Sequence, residues 1–211
     1  MDSSQYTQGS TEWFQARCGR ITASRIADVM EQNKNGSWSA KRIDYLWELV
    51  EERITGVCMA KYVNAAMQWG TETEPEAREF FEGKYEIEVD QTGFIQHPGM
   101  DYAGASPDGL IGADGLIEIK CPTTKTMLQT INDNKPDERY VMQVQWQMAC
   151  TNSRYAWLVY YDPRLPLDMC MKRFWIERND ALITKIQNYV HDFNLEINDT
   201  ILAIKENARE R

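Results

Sequence analysis

No stretch of this sequence approaches the roughly 20 consecutive apolar residues that a helical membrane span requires, so no membrane partner is expected. Its five cysteines (Cys18, Cys58, Cys121, Cys150 and Cys170) contain no Cys-x-x-Cys pair. Their odd number and scatter speak against a zinc or redox motif and for reduced, mostly buried thiols. An iron–sulfur centre is disfavoured because Cys150 and Cys170 stand apart. Low-complexity sequence is lacking, and so is any excess of positive charge, the formal net charge being -9. Affinity for nucleic acid comes largely from Lys and Arg neutralising phosphates, so this balance opposes a protein that coats DNA. It opposes less an enzyme whose few basic residues line a channel, because distribution decides and the total does not report it.

What is present is a chain of 211 residues, 43% hydrophobic, enough for one sizeable core. A single domain over 1–211 is expected, with a polar leader at 1–10 in place of a basic-then-apolar signal and a closing helix at 179–208. A soluble, cytoplasmic protein follows as the expectation. Short helices are read at 11–17 and, capped by Thr22 or Ser24, up to Met30. Ile43, Leu46, Trp47, Val50 and Ile54 recur at helical spacing over 40–54, and Gly56 ends the run. A third helix is placed at 71–82, with Pro75 near its first turn and Gly83 as its stop. Short strands are read at 85–89, 93–96, 103–105 and 116–120, then a helix over 137–151 and strands at 155–161 and 170–177. In the final helix Leu182, Ile186, Tyr189, Phe193, Ile197, Ile201 and Ile204 form a stripe. The class is α/β, with a mixed central sheet flanked by helices.

Chemistry concentrates in Ser106-Pro107-Asp108-Gly109-Leu110 and, after a turn, Leu116-Ile117-Glu118-Ile119-Lys120. Side chains alternate along a strand, so Glu118 and Lys120 share one face while Ile117 and Ile119 point to the other, toward the core. If the two segments pair as a hairpin, Asp108 comes beside Glu118. Adjacent carboxylates repel unless neutralised, and a hard divalent cation such as Mg²⁺ does this with carboxylate, carbonyl and water oxygens. Such an ion activates water against a phosphate ester, with Lys120 positioning that water or neutralising developing charge. The spacing is that of the nuclease superfamily pattern P-D-(x)n-E-x-K.

Four blocks make this sequence resemble the phage lambda-type recombination exonucleases and the related YqaJ-like viral recombinases. They are Trp13 to Ser24 (WFQARCGRITAS), Trp69 to Arg78 (WGTETEPEAR), Ser106 to Pro122, and Gln143 to Met148 (QVQWQM). Tyr161-Asp162-Pro163-Arg164 adds a weaker fifth. The resemblance implies a restriction-endonuclease-like core and a Mg²⁺-dependent enzyme that degrades the 5′-ended strand of linear duplex DNA, leaving a 3′ overhang for recombination. Mn²⁺ would substitute, and two ions per active site are implied.

By the same resemblance Asp108, Glu118 and the carbonyl of Ile119 are metal ligands and Lys120 is the catalytic lysine. Glu74 and Gln143 complete the catalytic set, although Glu74 is also explained as favourable charge early in a helix. Arg17, Ser24 and Ser106 correspond to a pocket for a terminal 5′ phosphate, which an arginine fork suits. Arg20 is assigned only general DNA contact. Met67 is either a wedge that parts the duplex end or a core residue. Tyr140, one turn before Gln143, is either a site residue or core packing. Implied partners are 5′-phosphorylated duplex ends, two further copies of the chain in a homotrimeric ring, and a phage single-strand annealing protein. A structure-selective endonuclease and a non-catalytic DNA-end-binding protein remain alternatives, since one fold serves several cutting geometries.

Overall fold

The computed structural model describes residues 3–58 and 64–209. Helix α1 (Thr11–Arg17) is capped by Ser10, whose side chain accepts the Trp13 N–H. Strand β1 (Ile21–Thr22) and helices α2 (Ile26–Met30) and α3 (Ala40–Thr55) follow, α3 ending at Gly56 in the left-handed region. Helix α4 (Ala65–Tyr85) leads to strands β2 (Ile95–His97), β3 (Met100–Ala105), β4 (Gly109–Ile111) and β5 (Gly115–Lys120). Helices α5 (Thr124–Asp133) and α6 (Glu138–Thr151), strands β6 (Tyr155–Tyr161) and β7 (Met171–Glu177), and helix α7 (Asp180–Arg209) complete the chain.

The strands form two mixed sheets, ordered β1-β3-β2 and β4-β5-β6-β7. β5 is interior to the second, antiparallel to β4 and parallel to β6, and α5 and α6 make the crossover that a parallel pair requires. Helix α6 joins the sheets. Its Trp146 is fully buried beside Ala103 and Ala105 and donates from Nε1 to the Gly104 carbonyl at 3.2 Å. Val144 and Met148, on another face of α6, pack on Leu116 and Ala156 of the second sheet. The α7 stripe lies against the first sheet and α3 as its spacing predicts, with Ile186, Phe193 and Ile197 buried and Leu182, Tyr189, Ile201 and Ile204 at its margin.

Several sequence expectations need correction. Helix α4 begins at Ala65, so Pro75 lies inside it and Gly83 does not stop it. Asn64 caps the start by accepting the Met67 N–H, and Glu86 ends it at φ 55°. The earlier start follows from the Asn64 cap and good helix formers at Ala65, Ala66 and Met67, and burial of Ala77 and Phe81 offsets the proline inside. Tyr85 is thereby taken into the helix, and the strand expected at 85–89 reduces to an isolated bridge between Asp90 and Leu110. The buried face of α3 carries Arg42, Tyr45, Leu46, Leu49 and Val50, while Ile43, Trp47 and Ile54 are exposed. Helix α5, not foreseen, is poor in helix-favouring residues and is held by Met127 packing under Leu158 and Tyr160. Only Cys150 and Cys170 are buried; the other three thiols are half-buried.

Candidate active site

Strand β5 fixes the site through its alternation. Ile117 and Ile119 pack with Ala77 and Phe81 of α4 and Val159 of β6. Glu118 and Lys120 project from the other face toward α6. In the β4–β5 register Gly109 pairs with Ile117, so Asp108 is level with Glu118, as the hairpin reading requires. The Ile119 N–H donates to Asp108 Oδ2 at 2.6 Å and locks that carboxylate onto the strand. Gly109 is needed beside it, because a Cβ there would collide with the Val89 side chain.

Glu118 is 3% exposed and is the hub of the cluster. Its Oε1 accepts from Lys120 Nζ at 2.6 Å and from Gln143 Nε2 at 2.5 Å, and its Oε2 accepts from Gln147 Nε2 at 2.6 Å. Gln143 Oε1 also accepts from Lys120 Nζ at 3.3 Å. Burial alone would lower the lysine; Glu118 and Asp108 outweigh it and hold the ammonium above its ordinary value. The ammonium also lies 4.6 Å from the centre of the Tyr140 ring, which in turn packs against Tyr160. Tyr140 is thus both a packing residue and a neighbour of the lysine.

Glu74, on α4, is paired with Arg78 at 2.6 Å. Burial and the nearby Glu118 charge raise its carboxyl, against the pull of Arg78. Asp108 is raised well above the carboxylate range by burial first, then by Glu118 and Glu74. Three acids therefore share one electrostatic neighbourhood that Lys120 and Arg78 together do not balance.

A cleft of about 1500 Å³ runs past this cluster, lined among others by Asp108, Glu74, Arg17, Ser24 and Met67. Arg17 Nη1 donates to Ser106 Oγ at 3.1 Å, and Trp13 Nε1 donates to the same oxygen at 3.0 Å. The guanidinium lies over the Trp13 ring at 4.1 Å. Other cleft arginines are engaged: Arg25 with Asp28 and Glu48, Arg78 with Glu74, and Arg20 with the Asp101 and Ala16 carbonyls. The close partners of Arg17 are neutral, and burial pulls it below its ordinary value. Ser24 is exposed on the short turn Ala23–Arg25. Met67 is 47% exposed at the cleft, so the core-packing reading of it does not hold.

Two residues escaped the sequence reading. Gln147 belongs to the QVQWQM block and follows Gln143 by four positions, the spacing that places two side chains on one helix face. That spacing was the available signal, but a buried glutamine on a helix has no distinctive pattern of its own. Trp13 opens the first block, and only the fold shows its indole bound to Ser106.

A mixed α/β core flanked by helices, with an acid and a lysine on an interior strand and a second acid beside them at the start of the edge strand, defines the restriction-endonuclease-like fold of nucleases. Residues 12–154 match the YqaJ-like viral recombinase domain, and the chain belongs to that family. It is similar to the alkaline exonuclease LHK-Exo from Laribacter hongkongensis, 45% identical, with 95% of this chain and 99% of that one covered at a TM-score of 0.88. LHK-Exo in complex with dAMP superposes with a TM-score of 0.89. A phage related exonuclease from Haemophilus somnus 129PT shares the fold at 14% identity and a TM-score of 0.68, with 88% and 96% of the two chains covered. An uncharacterized protein of Acanthamoeba polyphaga mimivirus is 24% identical over 160 residues; the match takes in 70% of this chain and only 28% of the viral protein. The chain is a nuclease by family and fold.

Proposed function

We propose that this nuclease is a Mg²⁺-dependent 5′-to-3′ exonuclease that digests the 5′-ended strand of linear duplex DNA and leaves 3′ overhangs for phage recombination by strand annealing. The reading rests above all on one cleft that carries Asp108 and Glu74 together with Arg17, which the Ser106 hydroxyl and the Trp13 ring hold in place. Chemistry and end recognition would then occupy one groove.

The donor set suits a divalent ion. An ionised carboxylate offers about four lone-pair sites, and three of those on Glu118 are taken by Lys120, Gln143 and Gln147, which leaves one on Oε2. Asp108 uses Oδ2 for the Ile119 N–H and is raised by burial first and then by Glu118 and Glu74, a repulsion that a bound cation would relieve. Asp108, Glu118 and the Ile119 carbonyl would hold Mg²⁺, or Mn²⁺ in its place, and Glu74 would serve a second ion. A bound ion would supply acidification of water and neutralisation of the phosphate.

The chain's own groups do the rest. Lys120 Nζ, fixed between Glu118 Oε1 and Gln143 Oε1, presents its remaining proton to the attacking water or to the charge that builds on phosphorus oxygens. Gln143 and Gln147 hold Glu118 in one rotamer. Tyr140 limits the travel of the ammonium. Arg17 binds the terminal 5′ phosphate with Ser106 and Ser24, and Met67 stands at the cleft mouth against the terminal base pair.

A homotrimeric ring around DNA would reconcile the net charge of -9 with a nucleic-acid substrate, by placing the cleft arginines inside and the acids outside. A phage single-strand annealing protein is the expected partner, and the host cytoplasm the expected location.

Two measurements test this. End-labelled linear duplex is expected to be digested from its 5′ ends in Mg²⁺, with covalently closed circles untouched; nicking of circles at a similar rate would convert the reading to an endonuclease. Arg17→Ala is expected to reduce the preference for a 5′-phosphorylated over a 5′-hydroxyl end by about 10- to 100-fold, the worth of one charge-assisted contact of roughly 1.5–3 kcal/mol. An unchanged preference in that variant removes Arg17 from the pocket.

A further inference from the structure

Sequence spacing gave the cysteines no metal-binding pattern, yet the fold brings two of them together with a buried acid. Cys18 is the C-cap of α1 and directly follows Arg17. Cys58 lies just beyond the end of α3, past the left-handed Gly56. Glu52, in the last turn of α3, is 5% exposed. One ligand atom from each of the three lies within 4.8 Å of the other two.

The frame holding them is fixed independently of the thiols. Glu52 Oε2 accepts the Gly19 N–H at 2.7 Å, and the Gly19 carbonyl accepts from Arg53 Nε at 2.8 Å. Gly19 adopts φ 69°, and a Cβ there would press on the Arg53 side chain at 2.9 Å, so glycine alone allows the α1 exit to dock this closely on α3. Three ligands from two helix ends and a following loop thus converge on a rigid turn.

We propose that Cys18, Cys58 and Glu52 form a second cation site, selective for Zn²⁺ or a similar thiophilic divalent ion, that ties the phosphate-binding end of α1 to the end of α3. Thiolates select borderline and soft ions, whereas Mg²⁺ prefers oxygen, so this site and the acidic cluster would take different metals. Zinc bonds of about 2.3 Å to sulfur and 2.0–2.2 Å to carboxylate oxygen place tetrahedral ligand atoms roughly 3.5–3.8 Å apart. The observed separation of at most 4.8 Å needs a contraction of no more than about 1.3 Å, which side-chain rotation provides.

Two thiolates and a carboxylate around Zn²⁺ leave a fourth position, as in sites that keep a water or an exogenous ligand. Glu52 and Cys58 both line the cleft that contains Arg17, so that position faces the expected seat of the terminal phosphate. Binding releases the thiol protons to solvent and involves no change of oxidation state. Zinc would therefore act on end recognition through the placement of Arg17, without entering the hydrolytic centre.

The site is tested with Co²⁺ as a spectroscopic stand-in for zinc, on the full chain reduced with a phosphine. One equivalent of Co²⁺ is expected to produce thiolate-to-metal charge-transfer absorption, displaced by one equivalent of Zn²⁺. Cys18→Ser with Cys58→Ser is expected to abolish the band, whereas Cys121→Ser, near the acidic cluster, retains it. Glu52→Gln is expected to weaken Co²⁺ binding by more than about 10-fold, since loss of an outer-shell partner already costs 10- to 100-fold. Absence of the band in the wild-type protein, its persistence in the double serine variant, or its loss in Cys121→Ser overturns the site. The wild-type measurement stands even if a variant fails to fold. Because the acidic cluster offers only oxygen ligands, failure here leaves the nuclease reading untouched, and loss of DNA cutting leaves this site untouched.

Discussion

Asp108→Asn is expected to cost about a thousandfold in DNA hydrolysis while making the metal-free protein more stable at about pH 8. The activity figure corresponds to roughly 4 kcal/mol, within what a catalytic metal supplies. The stability change has the opposite sign because of the site's electrostatics. Burial, then Glu118 and Glu74, raise the Asp108 carboxyl well above its ordinary range. The folded protein therefore holds that proton more tightly than the unfolded chain does. Its contribution to stability is complete below the unfolded value near pH 4 and is lost as pH rises through the raised folded value. Asparagine keeps an acceptor for the Ile119 N–H and carries no charge, so it escapes that loss. Thermal unfolding in chelator should show the variant above wild type at about pH 8, with the gap closing toward about pH 4. For a chain of this size each kcal/mol is worth about 2–4 °C. Mg²⁺ should then raise the wild-type midpoint and leave the variant's unchanged. A variant that is less stable at high pH, or one that still hydrolyses DNA at near wild-type rate, contradicts the assignment.

Glu118→Ala is expected to remove activity as completely and also to destabilise the fold by about 3–5 kcal/mol, the usual result of stripping one partner from a buried charge pair. That corresponds to a fall of about 6–20 °C in the unfolding midpoint. Lys120, Gln143 and Gln147 all donate to this carboxylate, so its removal leaves a buried ammonium and two amides without their acceptor. Removing the lysine as well, in Glu118→Leu with Lys120→Met, should recover much of the stability and none of the activity. If Glu118→Ala unfolds no earlier than wild type, the carboxylate is not the hub that its three donors make it. Two acids level with each other on one hairpin are thus expected to have opposite effects on stability, because one accepts from three donors and the other is buried beside like charge.

Which parts of this were legible in the sequence follows from the range of the interactions involved. Strand β5 was readable because alternation is local: Ile117 and Ile119 had to share one face and Glu118 and Lys120 the other. The placement of Asp108 followed from a short hairpin, and the α7 stripe from helical period alone. Helix α4 was misjudged in its bounds because Pro75 and Gly83, read as its start and stop, are tolerated inside a helix whose Ala77 and Phe81 are buried against the second sheet. The α3 stripe was misplaced because Ile43, Trp47 and Ile54 obey helical spacing as well as the residues that are buried.

The sequence by itself determined the family, through four blocks between Trp13 and Met148, and the acid–acid–lysine arrangement, which strand alternation and a short hairpin dictate locally. The tertiary structure alone decided that Gln147 holds Glu118, that Trp13 and Ser106 hold Arg17, and that Cys18 meets Cys58 and Glu52. Those meetings join segments tens of residues apart, and only the packing of helices onto the two sheets sets such distances.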